Sequence, residues 1–227
     1  MLIQSLKDTI LAARQEILDF KKSALGGRNF NWEEAGQLSL IDGTPTAITA
    51  QAKLRDARIF SGRLRLAEFS KIWVGRHPKC AEVGVGNGNN AVGLNNLLGA
   101  REFCLIDDDL SRISAANQEQ LSKPPFVHLT QGRKKALDSL LDDSTDYLYV
   151  NAFRGYASAL AELNAAIPKL RPGAVLQIHG YSNWAPTAMA PSGVMAATNE
   201  LINTLDCAVV GLSLDPVGHH DIALMVR

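Results

Sequence analysis

The stretch 80–90, C-A-E-V-G-V-G-N-G-N-N, constrains this chain more than any other. A short apolar strand, ending at Val83 or Val85, runs into glycines at alternate positions, Gly84, Gly86 and Gly88, and a helix-compatible run follows over 91–98. Glycine admits backbone angles that a β-carbon forbids and lets a ligand approach the main chain closely. The helix behind the loop aims its first N–H groups at the same place. Strand, glycine loop and helix in that order predict the first strand of an α/β sheet, with a nucleotide-type ligand at its carboxyl end. The dinucleotide spacing G-x-G-x-x-G, counted from Gly84, would put its third glycine at position 89, where the chain has Asn89.

Downstream, apolar strand-like runs alternate with helical patterns. Strands are read at 102–106, 126–129, 147–150, 175–178, 207–212 and 222–226, and helices at 111–121, 134–141, 157–170 and 192–205, with Arg171, Pro172 and Gly173 as a turn. Together with the strand before the glycine loop, this alternation predicts a doubly wound, mostly parallel sheet of seven strands with helices on both faces. Upstream, the apolar positions over 2–23 fit one face of an amphipathic helix that stops at Gly26 and Gly27, 28–45 is polar and irregular, and helical patterns return over 47–60 and 63–74. The expected organisation is an N-terminal helical appendage over 1–62 and a ligand-binding domain over 63–227. The appendage reads as a lid over the substrate, as the contact of a homo-oligomer, or as cover for the core.

Composition removes several classes of function. With 23 Lys and Arg against 23 Asp and Glu, the chain has no basic excess to grip nucleic acid. It has no apolar run near the roughly 18 residues of a membrane span, and its first residues lack a signal-peptide core. Cys80, Cys104 and Cys207 all fall in apolar, strand-like runs and form no C-x-x-C pair. They read as buried reduced thiols of a cytoplasmic protein, not as a zinc or redox site.

The order E-x-G-x-G-x-G over 82–88 resembles motif I of the class I S-adenosylmethionine (SAM)-dependent methyltransferases. The resemblance extends over 63–227. Asp107 closes the second strand about 20 residues after the loop, Asp146 opens the fourth strand, and L-R-P-G-A over 170–174 is similar to the L-x-P-G-G turn before the fifth. Over 155–163 the chain reads G-Y-A-S-A-L-A-E-L, similar to the G-D-H-S-Y-x-G-V-x-x-D-L stretch of metal-dependent small-molecule O-methyltransferases, the group with macrolide-sugar and catechol-type enzymes. The resemblance implies SAM as cofactor. It implies a loop of Glu82, Gly84, Val85, Gly86, Gly88 and Asn89 around the methionine end, Asp107 and then Asp108 on the ribose hydroxyls, Gly132 beside the adenine, and Asn151 at the end of the fourth strand.

The chain departs from that group where the group holds magnesium. Asn151, and His179 with Gly180, stand where its metal carboxylates stand, and Phe153 and Arg154 replace an aspartate and a histidine. Magnesium selects hard oxygen ligands, mostly carboxylates, so no metal is expected. Q-G-R over 131–133 likewise replaces an acidic partner for the adenine. The strand ends are expected to gather Asn151, Arg154, Tyr156, His179, Tyr181, Asn183 and Trp184 around the acceptor. Among them His179 suits a general base, Arg154 suits an anionic group on the acceptor, and Tyr156 completes the catalytic set. His219 and His220 read as a loop before the last strand. The expected function is SAM-dependent methylation of a small molecule, at oxygen and without a metal. The alternatives are a SAM-binding domain or partner subunit without catalysis, and another group transfer, such as aminopropyl transfer, or a nucleotide reaction on the same fold.

Overall fold

The computed structural model describes residues 53–227 except 56, 130 and 131. The features expected over 2–23 and 28–45 lie outside the described residues. Strands β2 (Lys79–Val83), β3 (Glu102–Ile106), β4 (Phe126–Leu129), β5 (Thr145–Val150) and β6 (Leu170–His179) pair in parallel. Their spatial order is β4-β3-β2-β5-β6. Beyond β6, β10 (Asp221–Val226) returns antiparallel to both β6 and β9 (Cys207–Ser213). β1 (Arg58–Phe60) then pairs in parallel with the outer edge of β9 and completes eight strands among the described residues. A separate two-stranded ribbon joins β7 (Trp184–Ala185) to β8 (Ala190–Pro191).

β5 is buried at all six positions, T-D-Y-L-Y-V, as a strand covered on both faces must be. Helices α1 (Arg63–Val74), α2 (Asn89–Leu98) and α3 (Ala115–Leu121) cover one face, where Leu66, Leu94 and Leu121 pack with Phe103, Tyr147 and Tyr149. Helices α4 (Arg133–Ser139), α5 (Tyr156–Ala166) and α6 (Val194–Thr204) cover the other, where Leu137, Leu163 and Leu201 pack with Leu148 and Leu176. All three cysteines are free and buried. Among the described residues no helix is long and apolar enough to cross a membrane.

Two expectations are corrected. Arg58–Phe60, within the stretch read as helix over 47–60, is a strand. The outer edge of β9 exposes backbone N–H and C=O groups that a helix would leave unpaired, and β1 satisfies them; the Leu214 N–H also donates to the Phe60 carbonyl, at 2.8 Å. The second correction concerns Arg171, Pro172 and Gly173, which lie inside β6. The pairing with β5 jumps from Thr145 opposite Leu170 to Tyr147 opposite Val175. The extra residues form a bulge that absorbs a proline with no N–H to give the ladder, and Arg171 anchors it on the Asp146 carboxylate.

From β2 the chain moves to β3 and β4 on one side and to β5 and β6 on the other. At such a reversal a crevice opens outside the carboxyl ends of the strands. The glycine loop lies there.

Candidate functional site

Gly84, Gly86 and Gly88 all have left-handed backbones, with φ of 82°, 56° and 85°. Their surroundings give them three different tasks. A β-carbon on Gly84 would lie 2.8 Å from the Asn151 carbonyl oxygen, so this glycine lets the ends of β2 and β5 close together. A β-carbon on Gly88 would lie 2.5 Å from Leu121 Cδ1, so this one lets α2 pack against α3. A β-carbon on Gly86 would meet nothing within 4 Å. Gly86 is therefore the position with room beside the main chain, just ahead of the α2 N-terminus.

Two acids flank the loop. Asp107 closes β3 and is 2 % exposed. Its Oδ2 accepts from the Gly86 N–H at 3.0 Å and its Oδ1 from the Asp109 N–H at 3.3 Å, so loop and acid are one unit. Glu82 lies in β2, buried, and among the described residues its Oε2 has no hydrogen-bond partner. Burial pushes its carboxyl up to about 8. The Arg63 charge favours the ionised form, and Asp107 and Asp221 oppose it. The Asp107 carboxylate, accepting from two N–H groups, still has lone pairs for further donors, and Glu82 has an oxygen that no group among the described residues engages.

The remaining residues expected at the cofactor divide into lining and bracing. Val85 is buried, and its carbonyl accepts from the Gly88 N–H at 3.1 Å. Asn89 Oδ1 accepts from Asn117 Nδ2 at 2.7 Å, tying α2 to α3. Asp108 is exposed, and its Oδ1 accepts from the Arg133 N–H at 3.0 Å, just after Gly132. Asn151 braces the loop from below: its Nδ2 donates to the Gly84 carbonyl at 3.1 Å and its N–H to the Val83 carbonyl at 2.8 Å.

Arg133 was legible only as a departure in the Q-G-R stretch, yet it spans the site. Its Nη1 donates to the Asn151 carbonyl at 3.1 Å, its guanidinium lies 3.4 Å from Glu162 and 3.9 Å from Asp107 Oδ1, and its Cζ sits 4.5 Å from the Phe153 ring centroid.

At the end of β6, His179 pairs in register with Asp221, the first residue of β10. His179 Nδ1 is 2.8 Å from Asp221 Oδ1. Gln177 Nε2 donates to Asp221 Oδ2 at 2.8 Å, and the Tyr147 hydroxyl donates to Gln177 Oε1 at 2.5 Å. Tyr149 stacks on one side of the His179 ring at 6.3 Å between centroids, and His219 stacks at 5.5 Å. Burial, and then the neighbouring His179, hold the His219 pKa below its usual value. Burial works against the Arg63 charge, but Tyr149, Asp221, Asp215 and Glu82 outweigh it and raise its pKa. Sequence reasoning named His179 and missed Asp221, whose only local signal is an acid opening the last strand.

The other residues expected around the acceptor do not all join His179. Arg154 is exposed, and its carbonyl accepts from the Gly193 N–H at 2.8 Å. Tyr156 turns to the opposite face: its ring packs against the core under α5 and α6, and its hydroxyl donates to Glu200. That bond and burial push the phenol up to about 12, so the Tyr156 hydroxyl is held by Glu200 and not beside His179. Tyr181 is likewise buried in that core, with its hydroxyl donating to Asn199 Oδ1 at 2.7 Å. The Asn183 carbonyl accepts from the Ser192 N–H at 2.8 Å, and Trp184 opens the β7–β8 ribbon. Among the described residues no cluster of three or more His, Cys, Asp or Glu stands close enough to hold a metal ion.

No family model and no curated protein matches this chain. Solved structures match it in fold. A SAM-dependent methyltransferase from Aquifex aeolicus superposes with a TM-score of 0.52 at 16% identity, covering 82% of this chain and 100% of its own. An rRNA methylase from Streptococcus thermophilus gives 0.55 at 15%, covering 74% and 98%. The trans-methyltransferase CalH, solved with S-adenosylhomocysteine (SAH), gives 0.51 at 12%, covering 91% and 64%. Likeness at such identities establishes the architecture: an α/β, Rossmann-like methyltransferase fold with a mixed, mostly parallel sheet.

Proposed function

We propose that this protein is a SAM-dependent methyltransferase acting on a small molecule, at oxygen and without a metal ion. One observation carries the reading: at the crevice between β2 and β5, the Gly86 N–H is bonded to Asp107, while the space beside Gly86 is open. The residues that would hold SAM are Glu82 and Gly84 at the methionine end, Asp107 with Asp108 at the ribose, and the main chain at Gly132 beside the adenine. The unengaged Oε2 of Glu82 and the free lone pairs of Asp107 suit an ammonium and a pair of hydroxyls. SAM supplies a methyl group on a positively charged sulfur, open to in-line attack by an acceptor lone pair.

The chain's own residues supply position and proton transfer. Arg133, 3.9 Å from Asp107 Oδ1, would share that carboxylate with the ribose. His179 takes the proton of the acceptor hydroxyl. Arg63 and Arg154 favour an acceptor with anionic character. The zero net charge supports a small acceptor over a nucleic acid.

Calorimetry tests this directly. SAM and SAH are expected to bind and NAD is not, and Asp107→Ala should weaken SAM by about 1–3 kcal/mol, the worth of hydrogen bonds to a charged group. Binding of NAD with no binding of SAM would remove the basis of the reading.

Metal dependence gives a second prediction. Asn151 and His179 offer magnesium an amide and an imidazole in place of carboxylates, and the Asn151 amide is already bonded to Gly84. Magnesium and EDTA are therefore expected to leave SAM affinity and methyl transfer unchanged. An octahedral ion bound at Asn151 and His179 in a magnesium-soaked crystal would contradict it.

A further inference from the structure

We infer that Asp221 is the positioning residue of this site: its carboxylate fixes the His179 imidazole with Nδ1 protonated and Nε2 bare, so that Nε2 takes the acceptor's proton. The inference rests on the methyl-transfer reading above for the identity of the reaction, and on geometry for the dyad.

Asp221 is fully buried, and both its carboxylate oxygens and its N–H are engaged. Its N–H donates to Ser213 Oγ at 3.2 Å, Oδ2 accepts from Gln177 Nε2 at 2.8 Å, and Oδ1 faces His179 Nδ1 at 2.8 Å. An ionised carboxylate can only accept, so the proton in the last contact belongs to Nδ1, and in the neutral ring the lone pair is then on Nε2. Tyr147 fixes the amide orientation of Gln177 by donating to its Oε1, which leaves the Gln177 NH2 group for Asp221. The chain Tyr147–Gln177–Asp221–His179 thus runs across β5, β6 and β10 with each donor and acceptor defined. It ends at Nε2, which makes no hydrogen bond among the described residues, on a side chain that is 16 % exposed while Asp221 is not exposed at all.

Two neighbouring rings restrict the imidazole. Tyr149 and His219 stack against it, with Arg63, Arg154 and Asp215 as the other charged groups around the pair of histidines. In the proton step the acceptor O–H bond breaks, the electron pair stays on oxygen, and the proton bonds to Nε2. The imidazolium formed is paired at Nδ1 with the Asp221 carboxylate, and it returns the proton to water when the product leaves.

Two measurements on the whole protein decide this without an acceptor. In the first, two-bond proton–nitrogen NMR correlations of the wild type are expected to show neutral His179 protonated at Nδ1. An Nε2-protonated neutral ring would overturn the inference, and this holds even if variants at Asp221 fail to fold. The second uses diethyl pyrocarbonate, which acylates an imidazole nitrogen carrying a lone pair, with ethyl carbonate as the leaving group. Asp221→Leu removes the acceptor of Nδ1 and is expected to slow labelling of His179 at least tenfold, read by mass spectrometry, while labelling of exposed His77 stays unchanged. Equal labelling of His179 in the folded variant would reduce Asp221 to a structural part of the sheet. If wild-type protein failed to bind SAM by calorimetry, the reaction assigned to the site would fall, while tautomer and labelling would still decide the dyad.

Discussion

Gly86→Val is expected to give a folded protein that no longer binds SAM, whereas Gly84→Val is expected to damage the fold itself. Both glycines have left-handed backbones, so either substitution strains the chain by about 1–2 kcal/mol. They differ in what the new side chain meets. Beside Gly86 an added β-carbon would meet nothing within 4 Å, and this is the space proposed for the cofactor, which a valine would occupy. Beside Gly84 the first added carbon already lies 2.8 Å from a backbone oxygen of β5's end and 2.9 Å from Asn151 Cβ. Backbone cannot yield as a side chain does, so overpacking adds about 1–3 kcal/mol to the strain. Thermal melts should therefore separate the two variants by several degrees, since about 2–4 °C accompanies each kcal/mol in a domain of this size. Calorimetry should show no SAM binding to folded Gly86→Val; retained affinity would mean that the loop does not face the ligand.

Glu82→Gln is expected to stabilise the ligand-free protein at pH 8 by roughly 3–5 kcal/mol while weakening its hold on SAM. The cause is burial: folding lifts this carboxyl from 4.5 to about 8. The sign follows from proton counts. Below about pH 4.5 both states hold the proton and the group contributes nothing. Between about 4.5 and 8 the unfolded chain has lost the proton and the folded one keeps it, so stability falls as pH rises. Above about 8 both are ionised and the loss is complete. Glutamine has the shape of the protonated acid and no proton to lose, so the variant should lack this slope. Binding runs the other way. An ammonium beside Glu82 favours the carboxylate, so SAM binding should release a proton, and affinity should increase with pH up to about 8 in the wild type only. Titrations in buffers of different ionisation enthalpy measure that release. Binding heats independent of buffer, or a variant with an unchanged melting profile across this range, would show that Glu82 is not the group that titrates.

The chain's local chemistry determined much of the scaffold. The glycine loop, the helix Arg63–Val74, the alternation of strands and helices, and an acid closing β3 are all properties of short windows, where periodicity and turn chemistry act directly. Tertiary structure decided the rest, for physical reasons that can be stated residue by residue. Arg58–Phe60 became a strand because the edge of β9, some 150 residues away, needed backbone partners. Pro172 entered a strand because a bulge against β5 could absorb it. The three glycines look alike in sequence, and only their neighbours separate one that faces open space from two that let elements close. Tyr156 was expected beside His179 at the acceptor, and the structure puts their side chains on opposite faces of the sheet. Arg133 revealed itself only when its long side chain could be followed from α4 to Asp107, Asn151 and Glu162. Asp221 lies 42 positions after His179, and the two meet solely because β10 runs antiparallel beside β6 in a register that sets one opposite the other. A sequence fixes which groups exist and how each short segment prefers to fold; which groups share a proton depends on strand order and register, which come from burying both faces of the sheet at once.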